Sequence, residues 1–520
     1  MWPTTVLVAA LLLAPVFDFV RHHGYAPLGL TLPVVAIVGF AAVAGAAATA
    51  RRPILRAALV AAVITLFVDL AFNIDVPVPG IGPNKLFGAI FLFTFGLVWA
   101  GPETSTRIGA AMAATMVVAS LVLPYRPVIV DQGQRRKEGM PAPLLVHIVL
   151  DEHMGVEGLQ AAAGTTGTGR FVRTALEAAG FRVFGAVYAQ DLASEFSLGR
   201  VLNFQVDNRP NDAVRFTTDF HETELTRNLY FDRLVARGFS LSVLQTSFVN
   251  LCPDSLPAFC RSYDVWKLGN EAFAALPFSR RLDIMNRLFW RRSELWQLSR
   301  RLIGLANGPA DAAPMFLSPL SGMAILDDLA SRLGAAKPGD AYLAHVPLPH
   351  YPYVYDASCG VRPVRDWLDR DDLSVPPGWI NTSAGRRLRY ALYGEQVRCL
   401  FDKLRETLQA IPEHLAQDAI VLVHGDHGSR ITERDPKPGV ATDADYIDAY
   451  ATLFAVRAPA LAAGYQSDQV SLACLFRALI DVQFRVAPAV SECGPSDAVF
   501  VKHFNAPVRA GVMPRMDGAF

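Results

Sequence analysis

What this chain lacks narrows it first. It has no net charge, since 48 Lys and Arg balance 48 Asp and Glu over 520 residues. A neutral chain has no global field to gather a polyanion, so nucleic acid is not expected among its partners. None of its six cysteines stands in C-x-x-C spacing, which argues against thiolate metal sites. Internal repeats and long low-complexity tracts are absent as well. Charge itself is scarce up to about Pro124, where Ala, Leu, Val, Phe and Gly dominate, and reaches ordinary globular frequency only past Gly133. The length implies roughly two to four structural units, and the composition divides them into a lipid-like part and a soluble part.

Five apolar segments fit in the first part: about Thr4 to Val20, Pro27 to Ala50, Ile54 to Phe72, Leu86 to Ala100 and Ile108 to Leu123. Each is near the ~20 residues that cross hydrocarbon as a helix, the first and fourth being short. The first lacks the basic start and the small-residue cleavage site of a signal peptide, so it reads as retained. Arg51, Arg52 and Arg56 form the strongest basic cluster between segments and belong on the cytoplasmic side. Five crossings then place the soluble part on the outer, periplasmic face of a plasma membrane, although Arg21, Arg135, Arg136 and Lys137 run against that rule. The division is therefore a transmembrane helical domain over 1–124, a linker over 125–143 and a soluble domain over 144–520. Cysteines Cys252, Cys260, Cys359, Cys399, Cys474 and Cys493 all fall in the last, as disulfides of an oxidising compartment would. Sequence neighbours pair 252 with 260, 359 with 399 and 474 with 493; six buried thiols are the alternative.

The soluble part alternates strand-like and helix-like segments. Strand patterns cover Leu144 to Leu150, Phe181 to Tyr188, Phe239 to Gln245, Ala341 to Val346, Ala419 to His424 and Ala451 to Val456. Helical patterns cover Arg170 to Ala179, Ser194 to Phe204 and Leu388 to Leu408. Such alternation predicts an α/β domain with a mostly parallel central sheet. From Trp266 to Ala306, Arg is interleaved with Trp, Phe, Leu and Ile. That composition fits one or two amphipathic helices, resting on anionic lipid or covering the sheet with their arginines solvated.

Two strands end in chemistry. LLVHIVLDEHMG (Leu144 to Gly155) runs from apolar residues straight into Asp151 and Glu152, and IVLVHGDHGSR (Ile420 to Arg430) ends in Gly425-Asp426-His427-Gly428. Parallel strands deliver their carboxyl ends to one edge of a sheet. Asp151, Glu152, Asp426 and His427 are thus candidate ligands for a divalent metal ion, and carboxylates with imidazole suit Zn, Mn, Mg or Ca better than a thiophilic ion. Flanking glycines let the backbone turn sharply beside a ligand. His147 and His424 lie inside strands and, with His153, read as structural.

These two strand ends resemble the metal-binding ends of the alkaline phosphatase and sulfatase superfamily. The apolar segments ahead of them resemble, in layout, lipoteichoic acid synthases and lipid A phosphoethanolamine transferases. The resemblance implies an alkaline-phosphatase-like α/β domain with a hydroxyl or modified-Cys nucleophile starting a helix about 40 residues after the first acidic pair. Here that stretch is Tyr188 to Phe204, making Ser194 the candidate nucleophile, with Ser197 one turn on as a second nucleophile or substrate contact. Free N–H groups at a helix start favour an oxyanion and a bound phosphate; the plain alternative is that Ser194 caps the helix. The loop HVPLPHYPYVYD (His345 to Asp356) resembles the segment that contacts the transferred group. His350 would then protonate the departing oxygen, and His345 would bind substrate, ligate metal or simply pack. Neither Ser194 nor Ser197 has the Pro of the sulfatase C/S-x-P-x-R motif, which disfavours formylglycine chemistry. The resemblance implies transfer or hydrolysis of phosphoryl groups on a phospholipid or an envelope glycan at a bilayer. A sulfatase-type ester hydrolase of polysaccharides and a non-catalytic envelope assembly or glycan-binding protein are the alternatives.

Overall fold

A computed structural model describes residues 52–72, 83–100, 129–134, 142–161, 166–217, 220–252, 257–266, 275–291, 317–367, 382–432, 436–437, 439–481, 497–503 and 506–516. Helices α1 (Pro53–Phe72) and α2 (Pro83–Ala100) match the third and fourth apolar segments and pack on each other. Among the described residues no helix is long and apolar enough to cross a membrane. The segments Thr4 to Val20, Pro27 to Ala50 and Ile108 to Leu123 lie outside the described residues.

Described strands of the soluble part, in chain order, are β1 (Ile129–Gln134), β2 (Leu145–Leu150), β3 (Arg182–Tyr188), β4 (Val214–Phe216), β5 (Thr223–Leu225), β6 (Ser240–Thr246), β7 (Val249–Asn250), β8 (Phe259–Tyr263), β9 (Asp340–Val346), β10 (Ile420–Gly425), β11 (Ala451–Arg457), β12 (Gly464–Gln466), β13 (Val470–Ser471), β14 (Ala498–His503) and β15 (Ala506–Val512). The helices that matter for the site are α3 (Thr166–Ala178), α4 (Ser194–Leu202), α5 (Phe278–Arg291), α6 (Ser318–Leu333), α7 (Ser383–Gln409) and α8 (Asp443–Tyr450).

Ten strands form one sheet in the order β1-β8-β6-β9-β2-β10-β11-β3-β12, with β13 also on β3. Its centre, β8-β6-β9-β2-β10, is parallel throughout. Every residue of β2 is buried, and apolar clusters cover both faces of the sheet. That two-sided burial is why these strands read as continuous apolar runs. Two strands depart from the parallel expectation, because β1 runs antiparallel to β8 and β11 antiparallel to β10 and β3. A fully buried run looks the same in either direction, so composition carried no sign of it. The stretch expected to be linker also differs: Ile129–Gln134 is an edge strand, tied down where Arg261 Nε and Nη2 donate to Asp131 at 2.7 and 2.8 Å.

Within Trp266 to Ala306 the described helix is α5, seated where Arg280 Nε donates to the Val361 carbonyl and Asp283 accepts the Val364 N–H (both 3.0 Å). Disulfides join Cys252 to Cys260 and Cys359 to Cys399. Cys474 is also disulfide-bonded, and Cys493 lies outside the described residues.

Candidate active site at the carboxyl edge of the sheet

Register brings the two strand ends together. Leu150 of β2 stands opposite Gly425 of β10, so Asp151 and Asp426 leave the sheet side by side. Asp151 N–H donates to the Val346 carbonyl of β9 at 2.9 Å, and Asp426 N–H to the Leu150 carbonyl at 3.4 Å. The glycines around Asp426 are required by packing. A Cβ on Gly425 would lie 2.4 Å from the His153 carbonyl oxygen, and one on Gly428 2.1 Å from the Asp448 carbonyl oxygen. Below them Asp448 is buried and accepts from Tyr390 Oη (2.6 Å), Ser429 Oγ (2.5 Å) and Thr432 N–H (2.8 Å), which fixes the loop after His427.

Asp151, Asp426 and His427 offer ligand atoms that all lie within 4.8 Å of one another, and all three residues are buried. Asp426 Oδ1 accepts the N–H groups of Glu152 (3.0 Å) and His427 (2.8 Å). Its Oδ2 has no hydrogen-bond partner, nor have Asp151 Oδ2 and His345 Nε2. Buried polar atoms are ordinarily paired, so three orphans at one spot mark a place for a cation. His427 Nδ1 bonds to the Gly428 carbonyl at 2.9 Å; the carbonyl only accepts, so Nδ1 carries the proton and Nε2 presents a lone pair. That nitrogen is 3.5 Å from Asp426 Oδ2 and 3.8 Å from Asp151 Oδ1. Two carboxylates and a neutral imidazole fit a divalent ion.

The electrostatics agree. Burial, then the neighbouring carboxylates of Asp426 and Glu152, hold the Asp151 carboxyl well above the usual range. Burial opposes charge on Asp426 too, but His427, His345 and its hydrogen bonds keep its value below the ordinary one. Two acids this close and this dry do not both ionise easily without a compensating cation.

Ser194 is the first residue of α4 and half-buried. Its Oγ lies 3.4 Å from Asp151 Oδ1 and 3.4 Å from His427 Nε2, so β3 and its following turn bring the candidate nucleophile to the candidate ligands. The turn is braced from behind, where Arg200 of α4 donates through Nε to Asp191 at 2.5 Å, both side chains buried. The cap alternative fails: the N-cap position is Ala193, with no side-chain cap bond.

Three expected roles change. Glu152 does not join the ligand cluster, because it takes a left-handed backbone conformation (φ 62°) and turns away from Asp151. Its Oε1 instead accepts from Arg430 Nε at 2.9 Å and Nη2 at 2.6 Å. Ser197 is buried and donates through Oγ to the Asp426 carbonyl at 2.6 Å, which commits that hydrogen to the loop carrying Asp426 and His427. His350 Nε2 faces Glu152 Oε1 at 4.0 Å, and its Nδ1 bonds to the Tyr351 carbonyl. The carbonyl demands the proton on Nδ1, and burial pushes the imidazole down to about 4. The proton foreseen for a leaving group is therefore not on Nε2. His345 lies closer in, with Nε2 3.9 Å from Asp151 Oδ2 and Nδ1 3.4 Å from Thr246 Oγ1.

Arg430 and Tyr393 are site residues that sequence reasoning missed. Tyr393 Oη donates to the Glu152 carbonyl (2.8 Å) and accepts the Met154 N–H (3.0 Å), pinning the turn after β2. Tyr393 sits mid-helix in α7 with no local mark; Arg430 follows the His427 motif directly, but its partner is 278 positions away. A separate cavity of about 830 Å³, lined by Leu145, Tyr230, Leu234 and Ile420 among others, opens at the opposite edge of the sheet.

No family model and no curated protein matches the chain. Among solved structures, it is similar to the phosphonate monoester hydrolase of Agrobacterium radiobacter at 15% identity, over 69% of this chain and 80% of that one (TM-score 0.41). A putative sulfatase from Bacteroides fragilis is 14% identical over 69% and 77% (TM-score 0.38). The C-terminal periplasmic domain of EptC from Escherichia coli, in complex with Zn, is 13% identical over 75% and 98% (TM-score 0.39). Sulfatases, phosphonate monoester hydrolases and the EptC domain are thus what this chain is similar to, and the reading of its site rests on the geometry above.

Proposed function

We propose that the chain is a metal-dependent phosphotransferase or phosphodiesterase that works through Ser194 and acts on a phospholipid head group or an envelope glycan. The observation that carries this reading is the approach of Ser194 Oγ to Asp151 and His427, 3.4 Å each, beside orphaned carboxylate oxygens. Asp151, Asp426 and His427 would hold the ion. When bound, a divalent ion supplies the charge that lowers a hydroxyl's pKa and offsets two buried carboxylates.

The chain's own groups do the rest. His427, its Nδ1 proton held by the Gly428 carbonyl, keeps Nε2 bare toward Ser194. Asp151 Oδ1 accepts the hydrogen of Ser194 Oγ and so aims the oxygen and takes up its proton as it attacks phosphorus. The P–O bond to the leaving group breaks and that oxygen takes a proton from water; the phosphoryl group then passes from Ser194 Oγ to the hydroxyl of an acceptor or of water, whose proton neutralises the hydroxide left behind, and Ser194 Oγ takes back the proton held by Asp151. The start of α4 adds its dipole to the charge developing on phosphorus.

The apolar N-terminal segments would anchor the site at a bilayer as a domain over 1–124, with the soluble domain on the periplasmic side. The described disulfides support that compartment. Full-length protein and its Ser194→Ala variant, given phospholipid vesicles or an aryl sulfate, test the reading. Metal-dependent head-group release that falls by about three orders of magnitude in the variant is expected. Undiminished release, or free sulfate as the product instead, contradicts it.

A further inference from the structure

Glu152 and Arg430 share an unusual arrangement. Among the described residues four non-glycine positions have positive φ, and these are two of them, at 62° and 52°. They stand just beyond the carboxyl ends of β2 and β10, and their side chains meet across the site at 2.6 Å. Left-handed backbone at non-glycine residues is held only where its surroundings demand it, and it gathers at functional sites. Here the Glu152 turn is fixed by its N–H on Asp426 Oδ1 and by Tyr393 on its carbonyl. The pair is layered, for the Glu152 side chain is wholly buried while that of Arg430 is 13% exposed. The acid lies inside and the cation nearer to solvent.

We propose that Arg430, held by Glu152, is the anion-recognising group of the Ser194 site, and that this pairing tunes the site to singly charged esters over doubly charged phosphate monoesters. The inference rests on the proposed function and adds a substrate class to it. Arg430 follows His427 by three residues on one loop, so the guanidinium is tied to the candidate ligands. The charge balance then selects the substrate. Among the described residues, a divalent ion would cancel Asp151 and Asp426, and Glu152 cancels Arg430, which leaves this group no surplus positive charge for a second negative one. A phosphodiester or a phosphonate or sulfate monoester brings a single charge; a phosphate monoester above its second pKa brings two.

Calorimetric titration of the full chain carrying Ser194→Ala, with and without Mn²⁺, tests this directly. Its ligands are dimethyl phosphate, methyl sulfate and methyl phosphate at about pH 8, where the last is doubly charged. Adding Glu152→Gln is expected to tighten methyl phosphate about tenfold relative to the two single-charge ligands, and adding Arg430→Gln to weaken all three about tenfold. An unchanged ratio in the Glu152 variant overturns the selectivity, and unchanged affinities in the Arg430 variant overturn the recognition. Should Glu152→Gln fail to fold, the Arg430 variant decides alone. Failure of the Ser194→Ala parent to bind any of the anions overturns the proposed function together with the inference, whereas binding without variant effects overturns the inference only.

Discussion

Two neighbouring acids, Asp151 and Glu152, do opposite things because one backbone angle separates them. Asp151 continues the strand and faces Asp426, whereas Glu152 at φ 62° swings to Arg430. The ligand assignment predicts that excess Mn²⁺ or Zn²⁺ raises the parent's melting temperature, equivalent to about 2.7 kcal/mol at a hundredfold excess over Kd. Asp426→Asn should abolish that rise while leaving the metal-free melt nearly unchanged, since Oδ1 is the oxygen that takes the backbone bonds. An equal rise in the variant would remove Asp426 from the ligand set. Buried histidines set the acid limit of the same domain. Burial lowers His153 to about 4 and His147 well below its ordinary value, while unfolded imidazoles keep about 6.5. Between those values the unfolded chain binds more protons, so stability is whole above about pH 6.5 and falls as pH drops toward about 4. For His153 this costs on the order of 3 kcal/mol across the interval, His147 acts in the same direction, and thermal melts of metal-free protein from neutral to acid pH check it. A flat profile would contradict their buried neutral state.

At the scale of elements, the site depends on loops that strands deliver and helices brace. The Cys359–Cys399 disulfide ties the segment after the His350 loop to α7, the helix that carries Tyr393 and Gln396. Gln396 Oε1 accepts the Val354 and Tyr355 N–H groups at 2.7 and 3.1 Å, and its Nε2 donates to the Pro349 and His350 carbonyls at 3.1 and 3.0 Å. Closing a loop of 40 residues is worth about 4 kcal/mol in chain entropy. Replacing both cysteines by Ser should lower denaturant stability by roughly that amount, and a loss near zero would mean that α7 holds the loop alone. How far these elements were legible follows from where their signals lie. Strands β2, β3, β6, β9, β10 and β11 show in the sequence as short apolar runs, and the acids of β2 and β10 show because they interrupt such runs. Strand direction did not show, so nothing in the sequence sets β11 apart as the antiparallel strand between β10 and β3. Nor did the Glu152–Arg430 pair, which no spacing encodes, nor the edge strand β1, whose polar residues Asp131, Gln132 and Gln134 resemble a linker.

Over the whole molecule, four chain regions far apart in sequence converge because one sheet gathers them. The ends of β2, β10 and β3 bring Asp151, Asp426 with His427, and Ser194 to one edge, and β9 leads there to His345 and the His350 loop. The two short motifs therefore meet in a three-dimensional cluster, with Ser194 Oγ 3.4 Å from both Asp151 and His427. The most direct measurement mixes full-length protein, Mn²⁺ and an activated phosphodiester, quenches with acid in the first turnover, and maps the peptides by mass. The expected product is a substituted phosphoryl group on Ser194, absent in Ser194→Ala and absent without metal. Turnover with no adduct on Ser194, or with the adduct on another residue, would contradict it.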